Sequence, residues 1–339
     1  MRLQSRASEL TAQPGAAGCS RALQRNDGWA DIEVRRARPL LGTVVEIRAA
    51  AGTPGDSTGT AARTADPAFH ERQVARLHAA IDAAFEQVEL VQRLMSYHDP
   101  DSELSRLNRC EASGVQRVDQ HTYHVLTAAV HFARLSSGAF DPCVAEPLER
   151  WGYLPAIIGS ADGRPADGGP AARVASWQDI ELLSDYRVRL KRRLRMDLGG
   201  IAKGYAVDLA TRAMQRANVH EMLVNAGGDI RVAGTRSHEV CLRHPQAPTS
   251  AVNPLQLRNG ALASSAAYFS RRSSGNRHVS ALLDPRTQAP YVGNDTVSIR
   301  ADDCMTADAL TKIVLFAPTW ITERVLDELG AEAFILRPE

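Results

Sequence analysis

The chain has 339 residues, of which 44% are hydrophobic and 23% charged, a globular composition long enough for one large domain or two ordinary ones. With Lys and Arg at 40 and Asp and Glu at 39, the formal charge is +1, which leaves no global field to attract nucleic acid or an anionic membrane surface. The cysteines Cys19, Cys110, Cys143, Cys241 and Cys304 form no CxxC or CxxH pair, which argues against a zinc site and a disulfide framework, and no run of about 18 apolar residues exists to span a membrane.

From the N-terminus, residues 1–30 are polar and rich in small residues, and they read as a disordered tail. No apolar segment precedes "AAGCS", so the sequence as written carries no export address and points to the cytoplasm; a misassigned start would reopen a periplasmic or membrane-associated location. A first strand is expected at "LLGTVVEIRAA", followed by a loop over 51–67. Apolar residues at three- and four-residue spacing predict the longest helix over Glu71–Ser96 and a second at "QHTYHVLTAAVHFARLSS", stopped by Gly138. The stretch "AIIGSADGRPADGGPAARV" reads as a flexible insertion near 155–175.

A strand pair follows at "DIELLSDYRVRLKRRLRMDL", whose basic run Arg189–Arg195 reads as the solvated face of an edge strand rather than a nucleic-acid patch. Next come a helix from Ala202 to about Asn218, strands at "EMLVNAGGDIRVAG" and "HVSALLDP", the helix "CMTADALTKIVLF", and a final helix at "ITERVLDELG". Helices and strands alternate, with many short turns between strands. The class is therefore α+β, with mixed, largely antiparallel sheets and packed helices over residues 31–339.

Four segments carry candidate chemistry. In "MDLGGIAKGYAVDLA" a Gly199–Gly200 turn and Lys203 sit at a helix N-terminus, which suits a phosphate, or is simply a tight turn with a surface lysine. "VNAGGDIRVAG" places Gly227 and Gly228 before Asp229, marking a bulge or a close approach to backbone or ligand. "LMSYHDPDSELSRLN" offers Tyr97 and His98 for stacking, with Ser102 as a helix cap; either ring is equally at home in a core or rim. On the helix of Cys304–Phe316, Asp308, Thr311 and Lys312 are three and four residues apart and share one face.

Taken in order, "LLGTVVEI", "LMSYHDPDSELSRLN", "GAFDPCVAEPLERWGY", "MDLGGIAKGYAVDLA", "VNAGGDIRVAG", "LASSAAYFS", "LLDPRT" and "MTADAL" resemble the FAD:protein FMN transferase family, the ApbE-like proteins, from about residue 38 to the C-terminus. The resemblance implies a single flavin transferase domain that takes FAD as substrate. With Mg²⁺, it would move the FMN moiety onto a threonine hydroxyl of an acceptor flavoprotein and release AMP.

It further implies residue roles. Tyr97 or His98 would meet the flavin, Gly199, Gly200 and Lys203 the phosphates, and Gly227, Gly228, Asp229 and Ser265 the rest of the FAD pocket. Ala202, Asp308 and Thr311 would hold the metal, with Asp308 also activating the incoming hydroxyl. Two other activities share such a site: an FAD pyrophosphatase yielding FMN and AMP, and a flavin-binding protein without turnover.

The sequence departs from the family pattern in places. Lys312 stands where the family usually has a second metal-binding threonine, Ala281 where it has a histidine, and Ala266 where it has a glycine. At Lys312 three readings stand open: the lysine points away from a normal metal shell, its ammonium substitutes for the metal, or the chain only binds flavin.

Overall fold

The computed structural model describes residues 6–11, 32–51, 67–157, 174–243, 245, 251–275 and 277–337. The expected loop at 51–67 and insertion near 155–175 lie for the most part outside the described residues, as does most of the N-terminal tail. The chain forms two compact units: one from Met1–Gln92, Ile201–Tyr268 and Gly293–Glu339, the other from Arg93–Gly200 and Phe269–Val292.

The first unit is built on an eight-stranded sheet. Its strands are β1 (Ala7–Thr11), β2 (Ile32–Leu40), β3 (Thr43–Ala51), β4 (Glu221–Ala226), β5 (Asp229–Ala233), β6 (Gly260–Ala266), β7 (Thr296–Ala301) and β8 (Glu332–Arg337). In space they run β1–β8–β7–β6–β5–β4–β3–β2, antiparallel at every step except the parallel β1–β8 pair. From β2 to β8 the strands follow one another across the sheet in chain order, although strands outside this sheet intervene in the chain between β3 and β4, β5 and β6, and β6 and β7. Within the tail expected to be disordered, Ala7–Thr11 pairs with β8, whose outer edge would otherwise present unpaired backbone groups.

The expected strand "LLGTVVEIRAA" is one arm and the turn of a hairpin. Leu40 pairs with Thr43, and Leu41 and Gly42 have φ of 56° and 69°, the left-handed pair of a two-residue hairpin turn. The second glycine pair makes the same kind of connection. Ala226 pairs with Asp229 across Gly227 and Gly228, both at positive φ, so the pair is a turn rather than a bulge.

Helices α1 (Pro67–Met95), α2 (Ala202–Arg216), α3 (Cys304–Phe316) and α4 (Thr319–Glu328) accompany this sheet. The periodic apolar residues of α1, among them Leu77, Ile81, Phe85 and Val88, are buried, each contributing roughly 1.5–3 kcal/mol. The exposed side of α1 is tied to β2: Arg36 and Arg38 both pair with Asp82, and Arg38 lies over the Phe85 ring, 4.5 Å from its centroid. Helix α2 packs on β4 and β5, and α3 on β6, β7 and α2.

The second unit holds the helices Glu103–Asn108, Gln120–Leu135 and Ala145–Arg150 and a three-stranded antiparallel sheet. In that sheet Arg187–Leu190 lies between Val115–Arg117 and Ile180–Leu183. The basic run therefore begins in a central strand rather than an edge. Its last member, Arg195, is buried against Glu149 instead of facing solvent.

Candidate functional site

The contact between α2 and α3 is unusually close, and it begins with a missing side chain. A Cβ on Gly204 would fall 2.2 Å from the Cys304 carbonyl oxygen and 2.8 Å from the Met305 Cα. Only glycine lets the two backbones meet there. The meeting is fastened by Asp208, one turn further along α2. Its carboxylate accepts hydrogen bonds from the Cys304 and Met305 amides, at 3.0 and 2.9 Å, and from Arg231 on β5 at 2.5 Å. An acidic group at a helix N-terminus satisfies orphan amides and complements the helix dipole.

This packing points Asp308 of α3 at the start of α2. Asp308 is 1% exposed, and its Oδ2 accepts the Gly204 amide at 3.3 Å. Its Oδ1 accepts from Lys312, whose ammonium also donates to the Asp308 main-chain oxygen at 3.1 Å. Beside this pair, Lys203 of α2 bonds Asp229 of β5 at 2.5 Å. Thr311 donates to the Asp308 main-chain oxygen at 2.7 Å and shares a 2.8 Å hydrogen bond with Ser265 of β6.

The surroundings shift three of these groups. Burial works to raise the Asp308 pKa, but Lys203 and Lys312 together hold it below the usual carboxylate range. Burial and the nearby Asp308 push Asp229 up, against the pull of Lys203 and Lys312. Desolvation works against the charge of Lys203, yet Asp229 and Asp308 more than offset it, and the ammonium titrates above the ordinary lysine range. Two carboxylates against two ammonium groups make the cluster neutral as it stands.

Of the residues singled out in the sequence, Lys203 is bonded to Asp229 and Thr311 links Asp308 to Ser265, and buried Ala202 opens α2 next to them. Gly227 and Gly228 form the turn leading into Asp229. Tyr97, His98, Gly199 and Gly200 belong to the second unit. There Tyr97 is buried and its hydroxyl donates to Glu149, which also receives Arg195; burial and then the Glu149 charge push the phenol above its usual range. His98 is exposed. The Gly199 amide donates to Asp197 at 3.2 Å, and the Gly204 amide is taken by Asp308, so part of the turn expected to cradle phosphate serves the protein's own carboxylates.

Asp208 and Gly204 escaped the sequence reading, although both stand in "MDLGGIAKGYAVDLA" at an i, i+4 spacing. A small and an acidic residue stacked on one face of a helix with buried neighbours was the available signal.

The metal ligand set drawn from the resemblance does not fit these contacts. Asp308 already holds a cation on Oδ1 and an amide on Oδ2, and the Thr311 hydroxyl is committed to Asp308 and Ser265. A divalent ion about 4 Å from an ammonium, at an effective dielectric near 20, would meet a repulsion of about 8 kcal/mol. Among the described residues no cluster of three or more His, Cys, Asp or Glu side chains is placed to hold a metal.

The comparisons with known proteins agree with the fold and the order of these segments. A sequence model of the ApbE family matches residues 41–335. A Vibrio cholerae protein named FAD:protein FMN transferase is 30% identical over 244 residues, covering 69% of this chain and 71% of that one. A Rhodobacter capsulatus protein of the same name is 29% identical over 245 residues, which is 69% of this chain but only 46% of the length of that relative. The crystal structure of the ApbE protein of Thermotoga maritima superposes with a TM-score of 0.70 at 25% identity, covering 89% of this chain and 94% of that one. By the extent of the family match and the succession of its segments, the chain belongs to the ApbE family.

Proposed function

We propose that the chain is an FAD:protein FMN transferase, which moves the FMN moiety of FAD onto a threonine hydroxyl of an acceptor flavoprotein and releases AMP. The observation that carries this reading is the buried Asp308–Lys312 pair beside Lys203 and Asp229 at the start of α2, in a chain whose relatives bear that activity as their name. In the transfer, the threonine oxygen bonds to the phosphorus of the FMN half. The bond from that phosphorus to the oxygen bridging to AMP breaks, AMP leaves with the bridging oxygen, and the hydroxyl proton passes to solvent.

The residues divide this work by charge. Lys203 and Lys312 bring positive charge toward a pyrophosphate whose negative charge grows as AMP departs. Asp308 stays ionised and accepts a hydrogen bond from the incoming hydroxyl, which aligns its oxygen. The flavin-stacking role falls to His98, because its ring is exposed whereas that of Tyr97 is buried. Asp308, which with Ala202 and Thr311 would hold Mg²⁺, instead pairs with Lys312.

The test combines the purified protein, FAD and a co-expressed acceptor. Mass spectrometry is expected to find one acceptor threonine carrying FMN, with AMP released in equal amount. FMN and AMP appearing without an acceptor would instead mean a pyrophosphatase, and intact FAD persisting on a yellow protein would mean a flavin binder; either result overturns the reading.

A further inference from the structure

We propose that Lys312 is a built-in cation. Its ammonium occupies the place at Asp308 that would otherwise take a divalent metal, so this chain handles its phosphate-bearing substrate with no divalent ion bound at Asp308. The second half of this statement rests on the transferase reading above; the first half stands on the site alone.

Four observations carry it. First, Lys312 lies one turn after Asp308 on α3, and its side chain, 16% exposed, donates to both the carboxylate and the main-chain oxygen of that residue. The ammonium is thus held from two sides and is not a solvated surface charge. Second, the carboxylate cannot turn away to offer a free edge. Its other oxygen is held by the Gly204 amide, and that amide is fixed by the approach of α2 to the Cys304 carbonyl, which no Cβ would survive.

Third, the charges already balance. Asp229 and Asp308, both buried, face the partly exposed Lys203 and Lys312, so a divalent ion would add two uncompensated charges to a neutral cluster. With a threonine at 312 the cluster would carry one net negative charge and a free carboxylate oxygen, the condition a hard cation requires. Fourth, Lys312 has three N–H donors and both recorded bonds go to Asp308. A third donor remains to meet a phosphate oxygen, which is what a point-charge phosphate binder needs.

The test uses the full chain, free of FAD, titrated with Mn²⁺ and followed by electron paramagnetic resonance. The wild type is expected to bind no stoichiometric Mn²⁺, Lys312→Thr to gain one site per chain, and Lys312→Thr with Asp308→Asn to lose it again. Lys312→Arg, which keeps a cation, is expected to bind none, and circular dichroism melts establish that each variant is folded.

In the transfer assay the wild-type rate with EDTA is expected to stay within about twofold of the rate with Mg²⁺. Lys312→Thr is expected to lose at least about 10²-fold in EDTA and recover with Mg²⁺. One Mn²⁺ bound per wild-type chain and released by Asp308→Asn would overturn the proposal, as would wild-type transfer abolished by EDTA, or a folded Lys312→Thr that gains no Mn²⁺. If no variant transfers FMN under any condition, it is the transferase reading that fails, while the Mn²⁺ titration still decides what occupies Asp308.

Discussion

Gly204 concentrates much of the site's architecture in one missing side chain. The atoms that a new Cβ would meet are the Cys304 carbonyl and the Met305 Cα, both backbone, so no side-chain rotation can relieve the clash. Gly204→Ala must part α2 from α3 and weaken the amide bond to Asp308. We expect a loss of about 3 kcal/mol in urea denaturation. Gly228→Ala serves as comparison. At φ 105° a side chain is strained, but nothing lies within 4 Å of its Cβ, so the expected loss is only about 1 to 2 kcal/mol. Equal midpoints for wild type and Gly204→Ala would remove the close approach as the reason for that glycine.

At the scale of elements, α3 depends on carboxylates at its N-terminus. Asp303 accepts from the Thr306 amide at 2.8 Å as the helix's own cap, and Asp208 reaches across from α2 to the Cys304 and Met305 amides. Truncating Asp208 orphans two amides and leaves Arg231 without its carboxylate. Asp208→Ala is expected to cost about 3 kcal/mol, and Asp208→Asn, which keeps acceptor capacity, clearly less. Chemical denaturation of the two variants checks the order; Asn as damaging as Ala would mean that charge rather than capping holds the helix.

Elements with an apolar period were readable: α1, α3 and α4 lie where the spacing of their buried residues predicts. Strand β2 was not. Its sequence "IEVRRARPL" looks solvated because Arg35, Arg36 and Arg38 find their acids at Glu46, Asp82 and Glu89, residues no local window brings together. Arg195 misled for the same reason, its partner Glu149 standing in a separate helix.

At the scale of the whole molecule, the division into two units has no local signature. The chain leaves the first unit within the last turn of α1, returns after the Gly199–Gly200 turn, leaves again after Tyr268 and returns at Gly293, with no composition shift at any of these points. The acids and lysines named from the sequence fall together in the first unit, while Tyr97, His98, Gly199 and Gly200 fall in the second. What the sequence could not reveal is that a buried Asp308 carboxylate would take the Lys312 ammonium as its partner, because helical spacing permits a pair but does not dictate it.

Alkaline pH tests the groups that keep their protons in the folded chain after the unfolded chain has lost them. Burial and then Glu149 push the Tyr97 phenol above its ordinary range. An unfolded tyrosine titrates near pH 10, so above that the unfolded chain gives up its proton while the folded one keeps it. The stability associated with Tyr97 is therefore complete below about pH 10 and is lost as pH rises beyond it. Lys203 contributes with the same sign from the first unit, because its folded pKa is also raised. Trp151 and Trp177 lie in the second unit and Trp320 in the first, so tryptophan fluorescence reports the unfolding of both. The Cys143 and Cys304 thiols, also pushed up by burial, add a loss of the same sign that begins at about pH 8.5, so the fluorescence-detected urea midpoint is expected to be flat up to about pH 8 and to fall toward about pH 11. Tyr97→Phe lowers the midpoint at neutral pH by removing a hydrogen bond from Glu149, which keeps Arg195 as its partner, and it flattens the alkaline slope. A slope unchanged in Tyr97→Phe would assign the alkaline loss to groups other than Tyr97, with Lys203 the first to examine through Lys203→Met.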